Sequence, residues 1–272
     1  MPRADQETRV FDLEFFVGDV NSASEAIVAR VRDRAGGYVC HANVHVTVTS
    51  WHDQAIHRAL DEAWMICPDG APVAWMMRRL GAIGAERIAG ADLMARLFAV
   101  GQAEGLRHFL FGSTTHVLER LERTLLDQYT SALIAGSYAP GPLSADEPAS
   151  PDTISRISRA EPDIVWCGLG APKQELWMRQ HAHLLAPAVL IGVGAAFDFC
   201  AGTKARAPAW MQRAGFEWAH RLGSEPGRLA GRYLRTNSEF VLRACSEMLA
   251  KPSVPPAKQS PPATRRPDRD RT

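Results

Sequence analysis

From Asp163 to Gln212 the chain reads DIVWCGLGAPKQELWMRQHAHLLAPAVLIGVGAAFDFCAGTKARAPAWMQ. An apolar run closes on Gly168-Leu169-Gly170, and Pro172 opens a helical pattern. A second apolar run closes on Gly192-Val193-Gly194 and leads into Phe197-Asp198-Phe199. Strands that alternate with helices in this way form parallel sheets with helices on both faces. Gly-rich turns at the carboxyl ends of buried strands are where open α/β sheets bind ligands. Glycine lets backbone N–H groups approach phosphate oxygens, and a helix N-terminus adds partial positive charge. Lys173 and Gln174 fall in the first turn of that helix, beside any such ligand.

The same alternation extends upstream. Val10–Val20 reads as a strand and loop, and Asn21–Glu25 as a cap before a helix through Arg34. Tyr38–Val48 is β-rich and carries His41, Asn43 and His45. Helices are expected over Trp51–Ala63, Pro72–Leu80, Ala91–Glu104, Val117–Tyr129 and Thr153–Ala160, and strands over Met65–Cys67, Arg107–Phe111 and Ala132–Ala135. Right-handed crossovers place all the turns on one edge, which then gathers Asn43, Asp69, Ser113, Gly170 and Gly194. The expected fold is α/β: a mostly parallel, Rossmann-like sheet with helices on both faces and a basic helical appendage at the C-terminus. Residues 1–220 form the α/β domain, with the Gly-rich half at about 105–220; 221–250 form the appendage, and 251–272 a Pro-rich tail without the apolar content for a core.

With 272 residues, 46% of them hydrophobic, the chain can bury a large core. A net charge of +1 gives no argument for nucleic acid. Beyond Lys204 the arginines outnumber the acids, which suggests a local surface for phosphates or anionic lipid. Five cysteines without a C-x-x-C pair argue against a zinc site and for a reducing compartment. Residues 1–20 carry Asp5, Glu7, Asp12 and Glu14 and do not resemble a secretory signal. No apolar run reaches the ~18 residues that span a bilayer, so membrane contact is expected to be peripheral and the location cytoplasmic.

Several residues could carry chemistry. Asp69, in Pro68-Asp69-Gly70 after an apolar run, reads either as a general base on the ligand edge or as a turn aspartate bonded to its own backbone. His41, Asn43 and His45 alternate along the expected strand, so they share a face; His41 and His45 lack a third metal ligand. Ser113 and Thr114 suit either a phosphate or a helix cap. Glu175 in a first turn suits the helix dipole whatever the function. Asp198, between two aromatics, needs a partner, and Arg206 is a candidate; an N-cap role is the alternative. Neither G-x-G completes a dinucleotide fingerprint, and no P-loop is present.

Taken in order, these motifs resemble the WecG/TagA/CpsF glycosyltransferases. They comprise Pro68-Asp69-Gly70, Arg87-Ile88-Ala89-Gly90-Ala91-Asp92-Leu93, Phe111-Gly112-Ser113, Pro162-Asp163-Ile164 and Gly168–Glu175. The series continues with Gly192–Asp198, Arg206-Ala207-Pro208-x-Trp210-Met211-Gln212, Gly215–Trp218, Arg221-Leu222 and Glu225-Pro226-x-Arg228. The resemblance covers roughly Tyr38 to Leu234. It implies an inverting transferase that moves a sugar, N-acetylmannosamine-like or another hexose, from a UDP-sugar to a polyprenyl-diphosphate-linked saccharide in surface polysaccharide synthesis. It implies Asp69 as base, Asn43 and Gln174 as further catalytic residues with Gln174 near the sugar or diphosphate, and substrate contacts at His41, Arg87, Ser113, Gly170, Lys173, Gly194, Asp198 and Arg206. The basic appendage, through Arg221, Arg228, Arg232 and Arg235, would meet the membrane or acceptor. No metal and no cofactor are implied; a homo-oligomer is left open. The chain departs from the family's Thr-x-Asn, with His41-Ala42-Asn43 in its place. A nucleotide-dependent oxidoreductase and a non-catalytic nucleotide- or saccharide-binding protein stand as alternatives.

Overall fold

The computed structural model describes residues 7–141, 150–213, 217–224 and 226–250. The tail 251–272, most of the loop between Gly136 and Pro151, and the side chains of Arg221, Arg228 and Arg232 lie outside the described residues. The chain opens with an antiparallel hairpin, β1 (Glu7–Val10) and β2 (Leu13–Phe16). Helix α1 (Val20–Arg32) leads into β3 (Gly37–Ala42), α2 (Val44–His52), α3 (Gln54–Asp61), β4 (Met65–Pro68), α4 (Ala71–Arg79) and α5 (Gly90–Glu104). Then come β5 (Arg107–Gly112), α6 (Thr115–Gln128), β6 (Leu133–Tyr138), α7 (Pro151–Arg159), β7 (Ile164–Gly168), α8 (Lys173–His181), β8 (Val189–Gly192) and α9 (Ala196–Cys200). Three helices close the described chain: α10 (Ala209–Arg213), α11 (Glu217–Ser224) and α12 (Pro226–Ala250).

The six main strands pair in parallel in the order β4-β3-β8-β7-β5-β6. This is the expected α/β sheet, with its strand order now fixed. Steps from β3 to β4, β6 to β7 and β7 to β8 run toward one edge; those from β4 to β5 and β5 to β6 run toward the other. Right-handed crossovers send these two sets of helices to opposite faces. Two cores result. One joins α1, α5, α6 and α9 through Ile27, Leu97, Phe98, Leu121 and Phe197. The other joins α2, α3, α4, α7, α8, α12 and the hairpin through Val46, Leu60, Met76, Ile157, Trp177 and Phe240.

The elements differ from expectation in several places. Strand β3 stops at Ala42, so His41 lies on the strand, Asn43 caps α2 and His45 lies on that helix; the three do not share a strand face. The expected helix over Trp51–Ala63 is instead two, broken where Asp53 ends α2 and caps α3 through the N–H groups of Ala55 and Ile56. The cap of α1 is Asp19, which exchanges hydrogen bonds with Ser22. Cys40, Cys67 and Cys167 are buried strand residues, as their apolar surroundings suggest.

Strand β8 leaves toward α9 on one face. Its neighbours β3 and β7 leave toward α2 and α8 on the other. The connections diverge around Gly192–Gly194, and such a divergence opens the ligand crevice of a parallel sheet.

Candidate active site

Read across the carboxyl edge of the sheet, consecutive strands present Asp69 after β4, Asn43 after β3, Gly194 after β8, Gly170 after β7 and Ser113 after β5. The Asp69 N–H donates to the Ala42 carbonyl at 3.1 Å, which ties the β4 exit to β3. The Asn43 side chain accepts from the Val46 N–H at 3.1 Å and so starts α2. Asp69 and Asn43 thereby stand side by side on short, braced turns. Asp69, Asn43 and Arg87 line a cavity of about 290 Å³. Its far wall is made by Gln212, Glu217 and Trp218 and by Asn237, Phe240 and Val241 of α12. Arg87 and Glu217 form a half-buried ion pair at 2.6 Å across this cavity, joining the loop before α5 to α11.

Beneath the edge, two buried side chains flank Gly192. His41 Nδ1 lies 2.9 Å from the Gly192 carbonyl. A carbonyl only accepts, so Nδ1 carries the proton and Nε2 presents a lone pair. Nε2 is buried with no hydrogen-bond partner among the described residues. Burial holds the His41 pKa below the ordinary histidine value, although Asp69, the Gly192 carbonyl and Asp92 pull it up. The ring is therefore neutral at pH 7.

On the other side of Gly192 lies the Gln174 amide. A Cβ added at Gly192 would meet Gln174 Nε2 at 3.0 Å, and one at Gly194 would meet Oε1 at 3.4 Å. The two glycines therefore leave the room this amide fills. Gln174 Nε2 donates to Glu175 Oε1 at 2.9 Å, while Gln174 Oε1 and Glu175 Oε2 have no partner among the described residues. Glu175 is fully buried, and burial pushes its pKa up to about 7. A first-turn glutamate on a solvated face would match the same sequence pattern; this one points into the sheet. Gln174, Trp177, Met178 and His181 are all buried at i, i+3, i+4 and i+7 spacing, and Glu175 borders that stripe.

The remaining candidates are scattered more widely. Ser113 is half-buried at the β5 exit, where its N–H donates to Gly168 at 3.1 Å; its neighbour Thr114 caps α6 through the Val117 N–H. Lys173 is exposed at the start of α8. The expected Asp198–Arg206 partnership is not formed. Arg206 instead makes a two-pronged ion pair with Asp92 at 2.6 and 2.9 Å, while Asp198 accepts from the Thr203 hydroxyl at 3.1 Å. Arg235 is exposed on α12. Among the described residues no three His, Cys, Asp or Glu side chains are gathered as a metal site.

A crevice at a switch point, a carboxylate beside it and a wall of C-terminal helices frame the site, and the sequence matches one family along almost the whole chain. The profile of the glycosyl transferase WecG/TagA/CpsF family covers residues 8–253. The chain belongs to this family. Among relatives of this WecG/TagA/CpsF member is an N-acetylglucosaminyldiphosphoundecaprenol N-acetyl-beta-D-mannosaminyltransferase of Bacillus subtilis (strain 168). It is 31% identical over 198 residues, 73% of this chain and 75% of the relative. Proteins of the same description from Bacillus spizizenii and Staphylococcus aureus (strain NCTC 8325 / PS 47) are 31% and 28% identical, over 71% and 68% of this chain and 73% and 70% of their own.

Proposed function

We propose that the chain transfers a hexose, of the N-acetylmannosamine type, from a UDP-sugar to a polyprenyl-diphosphate-linked N-acetylglucosamine. The observation that carries this reading is Asp69: a half-buried carboxylate at a strand end, facing a cavity large enough for a sugar. Asp69 takes the proton from the acceptor hydroxyl as that oxygen attacks the anomeric carbon in line, with inversion. Backbone N–H groups of the Gly170 and Gly194 turns, with Lys173, Arg87 and Arg206, meet the negative charge that develops on the leaving UDP. Fixed donors aimed at developing charge are the largest source of catalysis in many enzymes. UDP release with a lipid-linked N-acetylglucosamine diphosphate acceptor, absent without it, tests the proposal. The rate is expected to survive EDTA, because the charge is met by protein groups. No release with any UDP-sugar in the presence of acceptor overturns the reading.

His41 and Gln174 give this site its selectivity. Two acceptors without a partner among the described residues, His41 Nε2 and Gln174 Oε1, flank Gly192. Buried acceptors without donors favour ligands rich in hydroxyl groups. His41→Thr replaces the ring's fixed acceptor with a shorter hydroxyl that both donates and accepts, so it is expected to change the ratio of kcat/KM between UDP-sugars by about tenfold, the worth of one hydrogen bond. An unchanged ratio places His41 outside donor selection.

Membrane contact falls to the outer face of the C-terminal helices. Among the described residues no helix is long and apolar enough to cross a membrane. Beside the cavity wall, Val241, Leu242 and Leu249 of α12 and Trp210 and Trp218 of α10 and α11 are exposed, and Arg235 stands on the same long helix. An apolar face with basic residues lies in the interface of an anionic bilayer. Leu242→Asp with Leu249→Asp is expected to reduce sedimentation with anionic vesicles while leaving the fold intact. Unchanged sedimentation rules this face out.

A further inference from the structure

Resting on the transferase reading, we infer that Glu175 is a positioning residue: its carboxylate decides which end of the Gln174 amide faces the donor sugar. The hydrogen bond from Gln174 Nε2 to Glu175 Oε1, at 2.9 Å, joins neighbours on one helix, both buried. A carboxylate only accepts, so it holds the N–H₂ end of the amide and leaves the oxygen toward Gly194. That oxygen is buried and lies 3.4 Å from where a Cβ at Gly194 would stand, directly beneath the glycine turn. A protonated carboxyl could donate instead, and the amide could turn over to present N–H₂ at the same place. Glu175 thus selects between an acceptor and a donor under the turns that are proposed to hold the sugar diphosphate.

The surroundings leave Glu175 to act through Gln174. From β3 and β7 it faces the buried thiols of Cys40 and Cys167, whose pKa values burial and this carboxylate raise. Tyr38 on β3 donates its hydroxyl to the Ala59 carbonyl at 2.8 Å. His57, Arg58 and Asp61 belong to α3, packed against α8, and Glu62 beyond it pairs with Arg179 at 2.8 Å. His183 lies in the turn after α8. Burial is the largest cause of the rise at Glu175, opposed by its bonds from the Gln174 amide and its own N–H. A carboxyl raised from 4.5 to about 7 is neutral below that value and charged above it. Its contribution to stability is full below the ordinary value and is lost as pH rises through about 7.

The test uses the full chain, UDP-N-acetylmannosamine and a lipid-linked N-acetylglucosamine diphosphate. In the wild type, kcat/KM is expected to rise through a pH near 7. Glu175→Gln should lower it by about tenfold, the scale of one hydrogen bond to a charged group, and remove the rise. Gln174→Ala should remove the same rise with Glu175 intact, and the double variant should be no worse than Gln174→Ala alone. Non-additivity of this kind reports that one residue acts through the other. Melting supplies the independent check: between pH 5 and pH 8, Glu175→Gln should lose less Tm than the wild type. A persistent rise in either single variant, or additive losses, overturns the positioning role. Failure of the transferase reading looks different, because the wild type then transfers nothing at any pH.

Discussion

Asp69→Asn is expected to reduce transfer by about 10²–10⁴, the usual contribution of a positioned base, while donor binding stays within a few-fold of wild type. The substitution keeps the shape of the side chain and removes its basicity. The turn has other supports: the Asp69 N–H bonds the Ala42 carbonyl, and Pro72 stands in the first turn of α4. Neither depends on the carboxylate, so the loop should hold its form. Neighbouring Asn43 is committed to capping α2 and cannot take over proton transfer. The buried His41 ring is neutral with its proton turned to Gly192, and among the described residues its Nε2 has no partner that would relay a proton to the cavity. Calorimetry with UDP-sugar reads the binding, and UDP release in the presence of lipid-linked acceptor reads the chemistry. Turnover near the wild-type rate would remove Asp69 as the base. Lost donor binding would make it a substrate ligand instead.

Much of this site is local and was therefore legible in the chain. Each strand exit carries its own motif, and parallel pairing brings all exits to one edge whatever the strand order. The order itself rests on long-range pairings such as β3 with β8, which no local pattern encodes. The same limit explains Arg206. Its partner Asp92 lies 114 residues away in sequence, whereas Asp198 is near at hand and was the natural guess. The stretch Val44–Thr49 illustrates a different failure. Its β-branched residues favour a strand, but the sheet ends at Ala42 and Asn43 offers a cap, so packing of Val46 and Val48 against the core turns them into helix. Glu175 was hidden because a first-turn glutamate satisfies the helix dipole equally well on either face. The buried stripe that would have revealed it contains a glutamine and a histidine, which do not read as apolar.

Phe240→Ala is expected to be the most damaging single change on α12, because it tests whether this helix belongs to the body of the enzyme. The Phe240 ring is buried, with its centroid 5.2 Å from that of Phe11 and 6.4 Å from that of Trp51. Around it Arg243 lies 4.5 Å over the Trp51 ring and 3.6 Å from Asp12, and Glu239 bonds His52. The ion pairs are partly exposed and contribute little; the aromatic cluster holds the helix. Truncating a buried phenylalanine costs about 3–5 kcal/mol, and in a domain of this size each kcal/mol shifts Tm by about 2–4 °C. A fall of about 10 °C follows. Leu242→Ala, at a position 73% exposed, should leave Tm nearly unchanged. Activity should fall with Phe240→Ala even below its melting temperature, since Asn237, Phe240 and Val241 wall the cavity that Asp69 faces. On the proposed reading, in which the acceptor hydroxyl meets Asp69 in this cavity, the loss should appear as a raised KM for the lipid acceptor, because an undocked helix leaves the cavity open on one side. If α12 undocks alone, the sheet keeps its melting transition while transfer is lost, and the helix is then a separable wall. An unchanged Tm together with unchanged KM and kcat would mean that α12 neither anchors through Phe240 nor completes the site.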